Sequence, residues 1–208
     1  MKDPLPPDEQ LVPLLRSRDE AAFTRVVDTW SGGLLRVARS YVSTADSAAE
    51  VVQDTWLAVI EGIDRFEGRS SVKTWVYRIL ANTAQRRGSR ENRILPMAVP
   101  TVDPERFQGP GEPFPGHWRE FPTPWPTSTA PDPEPAALTA EVGDQLADAL
   151  TGLPERQRVA ITLRDVEGFT AREVCAIMGI SAANQRVLLH RARALVREHL
   201  DRYLTGSV

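Results

Sequence analysis

Cysteine is almost missing. Cys175 stands alone in 208 residues, which excludes an internal disulfide and a cysteine-based zinc site. No run approaches the ~18 to 20 apolar residues that a spanning helix needs, so no direct membrane insertion is expected. The opening Met1-Lys2-Asp3-Pro4-Leu5-Pro6-Pro7 has no apolar stretch of the signal-peptide kind. A reducing cytoplasm is therefore the expected compartment. Alternating apolar patterns are lacking too, and without a strand signal the class reads as all-α. No carboxylate pair, nucleophile–base set or phosphate-cradling glycine loop stands at chemical spacing. That argues against an enzyme, and no cofactor is expected. His190 has no second ligand at helical spacing except distant His199, so no metal site is expected either.

Positive charge is not in excess over the whole chain, whose net charge is −3. The average hides a division. Residues 1–94 hold 14 Lys+Arg against 13 Asp+Glu, residues 95–152 hold 2 against 9, and residues 153–208 hold 9 against 6. An acidic middle separates two segments that are neutral to basic. Proline marks the same middle: 12 of the 17 prolines fall between Pro96 and Pro135. Each lacks an N–H donor and restricts its predecessor, so 95–137 reads as an extended linker with polyproline II character. Its aromatics, Phe107, Phe114, Trp118, Phe121 and Trp125, either pack on a neighbouring domain or line a groove on a partner. The expected organisation is two small helical domains, 1–94 and 138–208, on this tether.

Helical spacing runs through both flanks. Helices are expected over 8–18, 19–42 and 46–64, with Gly32-Gly33 weakening the second. Ser70 or Ser71 caps a fourth helix through Trp75, Val76, Ile79 and Leu80 to about Arg90. After the linker, 138–151 ends at Gly152, and Pro154 opens a helix to about 166. Thr170-Ala-Arg-Glu173 is a capping box before a short helix to Met178. Gly179-Ile180 makes a turn, and Ser181 caps a long final helix to about Tyr203.

That final arrangement is a helix-turn-helix. Val174, Ile177, Ile180, Val187 or Leu188, Ala192 and Leu195 are expected to form one apolar seam. Arg186, His190, Arg193 and Arg197 align along the second helix, a face suited to the major groove. Cys175 reads as a buried structural thiol. In the front half, Glu50, Gln53 and Asp54 share one wet face of the third helix, a docking patch for a basic protein surface. The run Arg65-Phe66-Glu-Gly-Arg-Ser-Ser71-Val-Lys-Thr-Trp75-Val-Tyr77-Arg78-Ile-Leu-Ala-Asn82 interleaves rings and bases. Rings stack on unpaired bases, cations hold phosphates, and a serine loop with an Asn amide offers polar edges to an extruded base.

These segments resemble extracytoplasmic-function sigma factors of the sigma-70 family. Ser47-Ala-Ala-Glu50-Val-Val-Gln53-Asp54-Thr55-Trp56 resembles their region-two helix, and 66–82 their melting and minus-ten-reading segment. Residues 153–168 and 180–193 resemble region four. The resemblance implies a factor that binds core RNA polymerase and promoter DNA and directs initiation. It implies polymerase contact through Glu50, Gln53 and Asp54. It implies minus-ten contact through Phe66, Arg69, Ser70, Ser71, Lys73, Trp75, Arg78 and Asn82. Asn184, Arg186, His190, Arg191 and Arg193 are implied at the minus-thirty-five element. Such proteins are commonly held by an anti-sigma factor, often membrane-bound and zinc-binding, which would keep a cytoplasmic chain at the membrane. The chain departs from the pattern at Ala49, where an acidic residue is usual, and at Val187 and Leu188, where polar residues are frequent. The competing reading is a stand-alone helix-turn-helix repressor or activator.

Overall fold

A computed structural model describes residues 4–94 and 145–206. The proline-rich segment 95–137 and its aromatics lie outside them, as does the start of the helix expected at 138. Every regular element among the described residues is helical, and none of them is in a strand. By contact the chain divides into two compact units, Met1–Met97 with Thr162–Gln185, and Ala98–Ile161 with Arg186–Val208. The division falls inside the stretch 138–208.

In the first unit, α1 (Asp8–Arg16) buries Leu11 and Leu15 and tolerates Pro13 within it. Arg18, at φ 61°, breaks the chain direction, and Asp19 caps α2 (Glu20–Ala38) by accepting from Ala22 N at 2.7 Å. The buried stripe of α2 is Ala22, Val26, Trp30, Leu34 and Val37, spaced at helical period. The helix runs unbroken through Gly32-Gly33, against the expected weakening. Gly33 is buried there between Tyr77 and Glu167. Thr44 caps α3 (Ala45–Gly62), and a single 3₁₀ turn, Ile63–Arg65, leads into the loop at Phe66. α4 (Val72–Ile94) starts at Ser71, whose Oγ accepts from Thr74 N at 3.1 Å. Its inward face is Val72, Val76, Tyr77, Leu80 and Ala84.

The later elements begin with α5 (145–151) and α6 (Glu155–Ile161), which Pro154 opens by accepting from Gln157 N at 2.9 Å. The helix expected to reach 166 widens instead into a π turn, Thr162–Val166, closed by Glu167 N on Thr162 O at 2.9 Å. α7 (Ala171–Met178) carries the expected capping box, and Gly179 ends it in left-handed conformation at φ 62°. Ser181 then caps α8 (Ala182–Gly206), accepting from Asn184 N at 3.2 Å.

The residues expected in one seam fall in two units, each described by itself. Val174 and Ile177 are buried in the first unit. In the second, Ala149, Leu153 and Ile161 pack with Leu189, Ala192, Val196 and Leu200 of α8. Val187 and Leu188 are only half-buried, because the α8 stripe is turned toward Leu189 and Val196. The stripe thus lies about 90° around the helix from the basic face rather than opposite it. His190 and Arg197 are half-buried, while Arg186, Arg191 and Arg193 are exposed.

Candidate nucleic-acid interface

The head of α4 and the loop before it form a cavity of about 540 Å³. The loop is held from behind by α1. Arg16 donates to Phe66 O at 2.7 Å and Ile63 O at 3.4 Å, and Asp8 accepts from Val72 N at 2.8 Å. Gly68 turns the loop at φ 70°. Phe66 and Trp75 form a tilted ring pair with centroids 5.2 Å apart; Phe66 is buried and Trp75 half-buried. Arg65, Arg69 and Arg78 surround them, and Ser70, Thr74 and Asn82 supply polar edges. Glu67 is the acidic group in the lining, and Arg69 pairs with it at 2.9 Å. Both side chains of that pair are exposed, so it is weak and easily exchanged for a phosphate. A volume of this order accommodates a small planar group, with rings to stack on it and cations for its charge.

Of the residues expected at this site, Phe66, Arg69, Ser70, Trp75, Arg78 and Asn82 come together around the cavity. Ser71 does not line it; its hydroxyl caps α4 and donates to Thr74 Oγ1 at 2.8 Å. Lys73 does not line it either. Its ammonium lies 4.7 Å from the Phe169 ring centroid and 5.7 Å from that of Tyr77. Arg65, Thr74, Ile79 and Ala176 line the cavity without having been singled out. Arg65 and Ile79 had a local signal, as a base and an apolar residue within the aromatic run. Ala176 had none, since it reaches the cavity only because α7 packs on α4.

On α3, Glu50, Gln53 and Asp54 are all exposed on one face. Leu57 continues that face with 54% of its surface exposed, and Ile60 lies beside it at 40%. An apolar residue one helical turn beyond the acidic pair is the signal that could have added Leu57 to this patch. Glu50 is engaged by Arg87 of α4, which also approaches Glu91 at 3.6 Å. Glu91 in turn accepts from Ser43 N at 3.1 Å and from Ser43 Oγ at 2.9 Å.

The start of α8 places Asn184 half-buried and Arg186 exposed, with Arg191 and Arg193 exposed further along. His190 is half-buried, as is Cys175, which was expected to be buried. Among the described residues no group of His, Cys, Asp and Glu is placed to hold a metal ion. No described helix is long and apolar enough to cross a membrane.

Comparison with known proteins agrees with this layout. Residues 26–94 match the family model for Sigma-70 region 2, and residues 143–196 that for Sigma-70, region 4. Together the matches cover more than half of the chain. The chain is 28% identical over 190 residues to the ECF RNA polymerase sigma-E factors of Salmonella typhimurium and Escherichia coli, covering 91% of this chain and 92% of theirs. Among solved structures it is similar to CnrH in complex with the cytosolic domain of CnrY. That match has 22% identity and TM-score 0.59, over 93% of this chain and 97% of that one. It is also similar to the sigma factor RpoE bound to the anti-sigma factor NepR from Bartonella quintana. Here identity is 23% and TM-score 0.58, over 86% and 96% of the two chains.

Proposed function

This chain belongs to the sigma-70 family, among its extracytoplasmic-function members, and from that premise we propose that it binds core RNA polymerase and directs it to chosen promoters. The observation that carries the reading is the cavity at the head of α4, where Phe66, Trp75, three arginines and Asn82 meet. A protein that bound duplex DNA alone would have no use for a stacking pocket beside exposed cations. In this reading the cavity takes an unpaired base of the minus-ten element, with the ring pair beneath it and Asn82 at its polar edge. Arg186, His190, Arg191, Arg193 and Asn184 meet the minus-thirty-five duplex. The α3 face of Glu50, Gln53 and Asp54, extended by Leu57, docks on the polymerase. Catalysis is left to the polymerase. The work of this chain is non-covalent: to hold one duplex element and trap the other as single strands.

The expected compartment is the cytoplasm. An anti-sigma factor is the expected restraining partner, by analogy with the RpoE complex. Run-off transcription with purified core polymerase and genomic DNA fragments tests the reading, and promoter-specific transcripts that require the chain are the expected result. A chain that binds operators yet never associates with core polymerase would instead be a stand-alone regulator.

A further inference from the structure

α1 precedes the residues that match Sigma-70 region 2, yet both its ends are engaged with the walls of the cavity. Asp8, its first residue, accepts from Val72 N at 2.8 Å. That N–H is the first of α4 and has no partner inside its own helix. A carboxylate there also meets the positive end of the α4 dipole. Arg16, the last residue of α1, reaches the other side of the loop. One guanidinium nitrogen donates to Phe66 O at 2.7 Å and another to Ile63 O at 3.4 Å, across the single 3₁₀ turn Ile63–Arg65. Ile63 O accepts from Phe66 N as well, at 3.1 Å. Leu11 and Leu15, fully buried between the two braces, fix the helix to the core.

We propose that α1 is a gauge for base capture, with Asp8 and Arg16 as positioning residues that hold the ring pair in the geometry an unpaired base stacks on. The inference rests on the reading of the cavity as the minus-ten base site. Trp75 lies in the first turn of α4, whose start Asp8 holds, and Phe66 is gripped at its own carbonyl by Arg16. Each ring of the pair, 5.2 Å apart at the centroids, thus has its backbone tied to one end of α1. About 12 Å of helix rise separates the two braces, a length that α1 cannot alter without breaking its hydrogen bonds.

The contacts inside the loop are weak by comparison. Gly68 turns it at φ 70°, and a Cβ there would meet nothing among the described residues within 4 Å, so no neighbour supports the turn on that side. Arg69 pairs with Glu67 at 2.9 Å and Ser70 Oγ donates to Ser71 O at 3.3 Å, both in exposed positions where such contacts contribute little. A loop so built takes its shape from its ends. At each end the brace is a charged group, and hydrogen bonds to ionised groups are roughly twice as strong as neutral ones. Arg18, paired with Asp64 at 2.9 Å, adds a third contact, exposed and therefore weak.

Holoenzyme assembled from the full-length chain and core polymerase tests the inference on pre-opened promoter probes, built from promoters that run-off transcription yields. In the probe series each non-template base of the opened stretch is removed in turn, leaving an abasic site. Wild type should lose about tenfold or more in affinity at one position, that of the captured base. Asp8→Ala and Arg16→Ala should bind the intact probe several-fold more weakly and lose less than about twofold at that same position, because the stacking there is already lost. Affinity for core polymerase should not change. A merely structural weakening would lower every probe by one factor and leave the abasic penalty whole. Asp8→Asn keeps an acceptor oxygen and should restore the wild-type penalty. Arg16→Lys, a point donor in place of a planar fork, should restore part of it. A full penalty in both alanine variants overturns the inference. If those variants lose helix content by circular dichroism, a full penalty in Arg16→Lys overturns it instead. A wild type that senses no abasic position overturns the base-capture reading itself, and the gauge with it.

Discussion

Thr170 and Glu173 hold each other across the first turn of α7, and the arrangement titrates. Partial burial raises the Glu173 carboxyl, but the Thr170 N–H, the Thr170 and Thr74 hydroxyls and the Lys73 ammonium outweigh it. Its folded value therefore lies below the ordinary glutamate value. A depressed carboxyl stabilises the fold above the unfolded value and loses that contribution as pH falls through the folded one. Thr170→Ala should cost about 1 kcal/mol at neutral pH, read by urea denaturation. The gap between variant and wild type should narrow as pH falls below the ordinary glutamate value and through the lower, folded one. A gap that stays constant on acidification would show that Glu173 is not the partner that matters. Asn82 lies on the cavity side of α4, exposed. Asn82→Ala should leave duplex binding intact and reduce permanganate reactivity of the melted strand. Footprints equal to wild type would remove Asn82 from base capture. The capping box was legible because both members sit within four residues of sequence. The engagement of Lys73 by Phe169 was not, since the ring arrives from 96 positions away.

α1 is the element whose role the sequence concealed. Its apolar spacing predicted a helix, and Leu11 and Leu15 are indeed buried. Nothing local announces that Arg16 and Asp8, on that short helix, brace both ends of the loop from Ile63 to Val72. Arg16→Ala should therefore loosen residues 63–71 in hydrogen exchange, with helix content by circular dichroism unchanged. Two backbone carbonyls lose a charged donor, a change worth about 1.5–3 kcal/mol in comparable settings. If the loop exchanges as in wild type, the brace is dispensable. α6 shows the opposite limit. Pro154 correctly opened a helix, but periodicity did not foretell the π turn at Thr162–Val166. An inserted residue leaves the apolar pattern nearly unchanged and is chosen by what packs beyond it.

For the whole molecule, charge distribution matters more than charge total. The excess of bases after residue 153 is carried largely by α8, where Arg186, Arg191 and Arg193 are exposed. Duplex affinity should weaken steeply with salt as these arginines displace counterions. Arg191→Ala, read as a phosphate contact, should lower the slope of log affinity against log salt by about 1, with promoter preference unchanged. Arg186→Ala, read as a base contact, should cost about 1–3 kcal/mol at the matching promoter position and relax the choice of base there. Equal losses on specific and random duplexes for both variants would reduce α8 to a nonspecific clamp.

The sequence by itself determined the helical class, the helix caps at Thr170 and Ser181, and the aromatic–basic run that lines the cavity, and it narrowed the cap of α4 to Ser70 or Ser71. Those features depend on spacing within a few residues, where propensity and periodicity act directly. Tertiary structure alone decided which face of α8 is buried, that α1 braces the loop, and that Glu167 enters a niche between Arg36 and Tyr77. Each is a meeting of residues far apart in the chain. Which of them meet is settled by the packing of whole helix faces and by the need to pair every buried polar group, and neither is written in any local window.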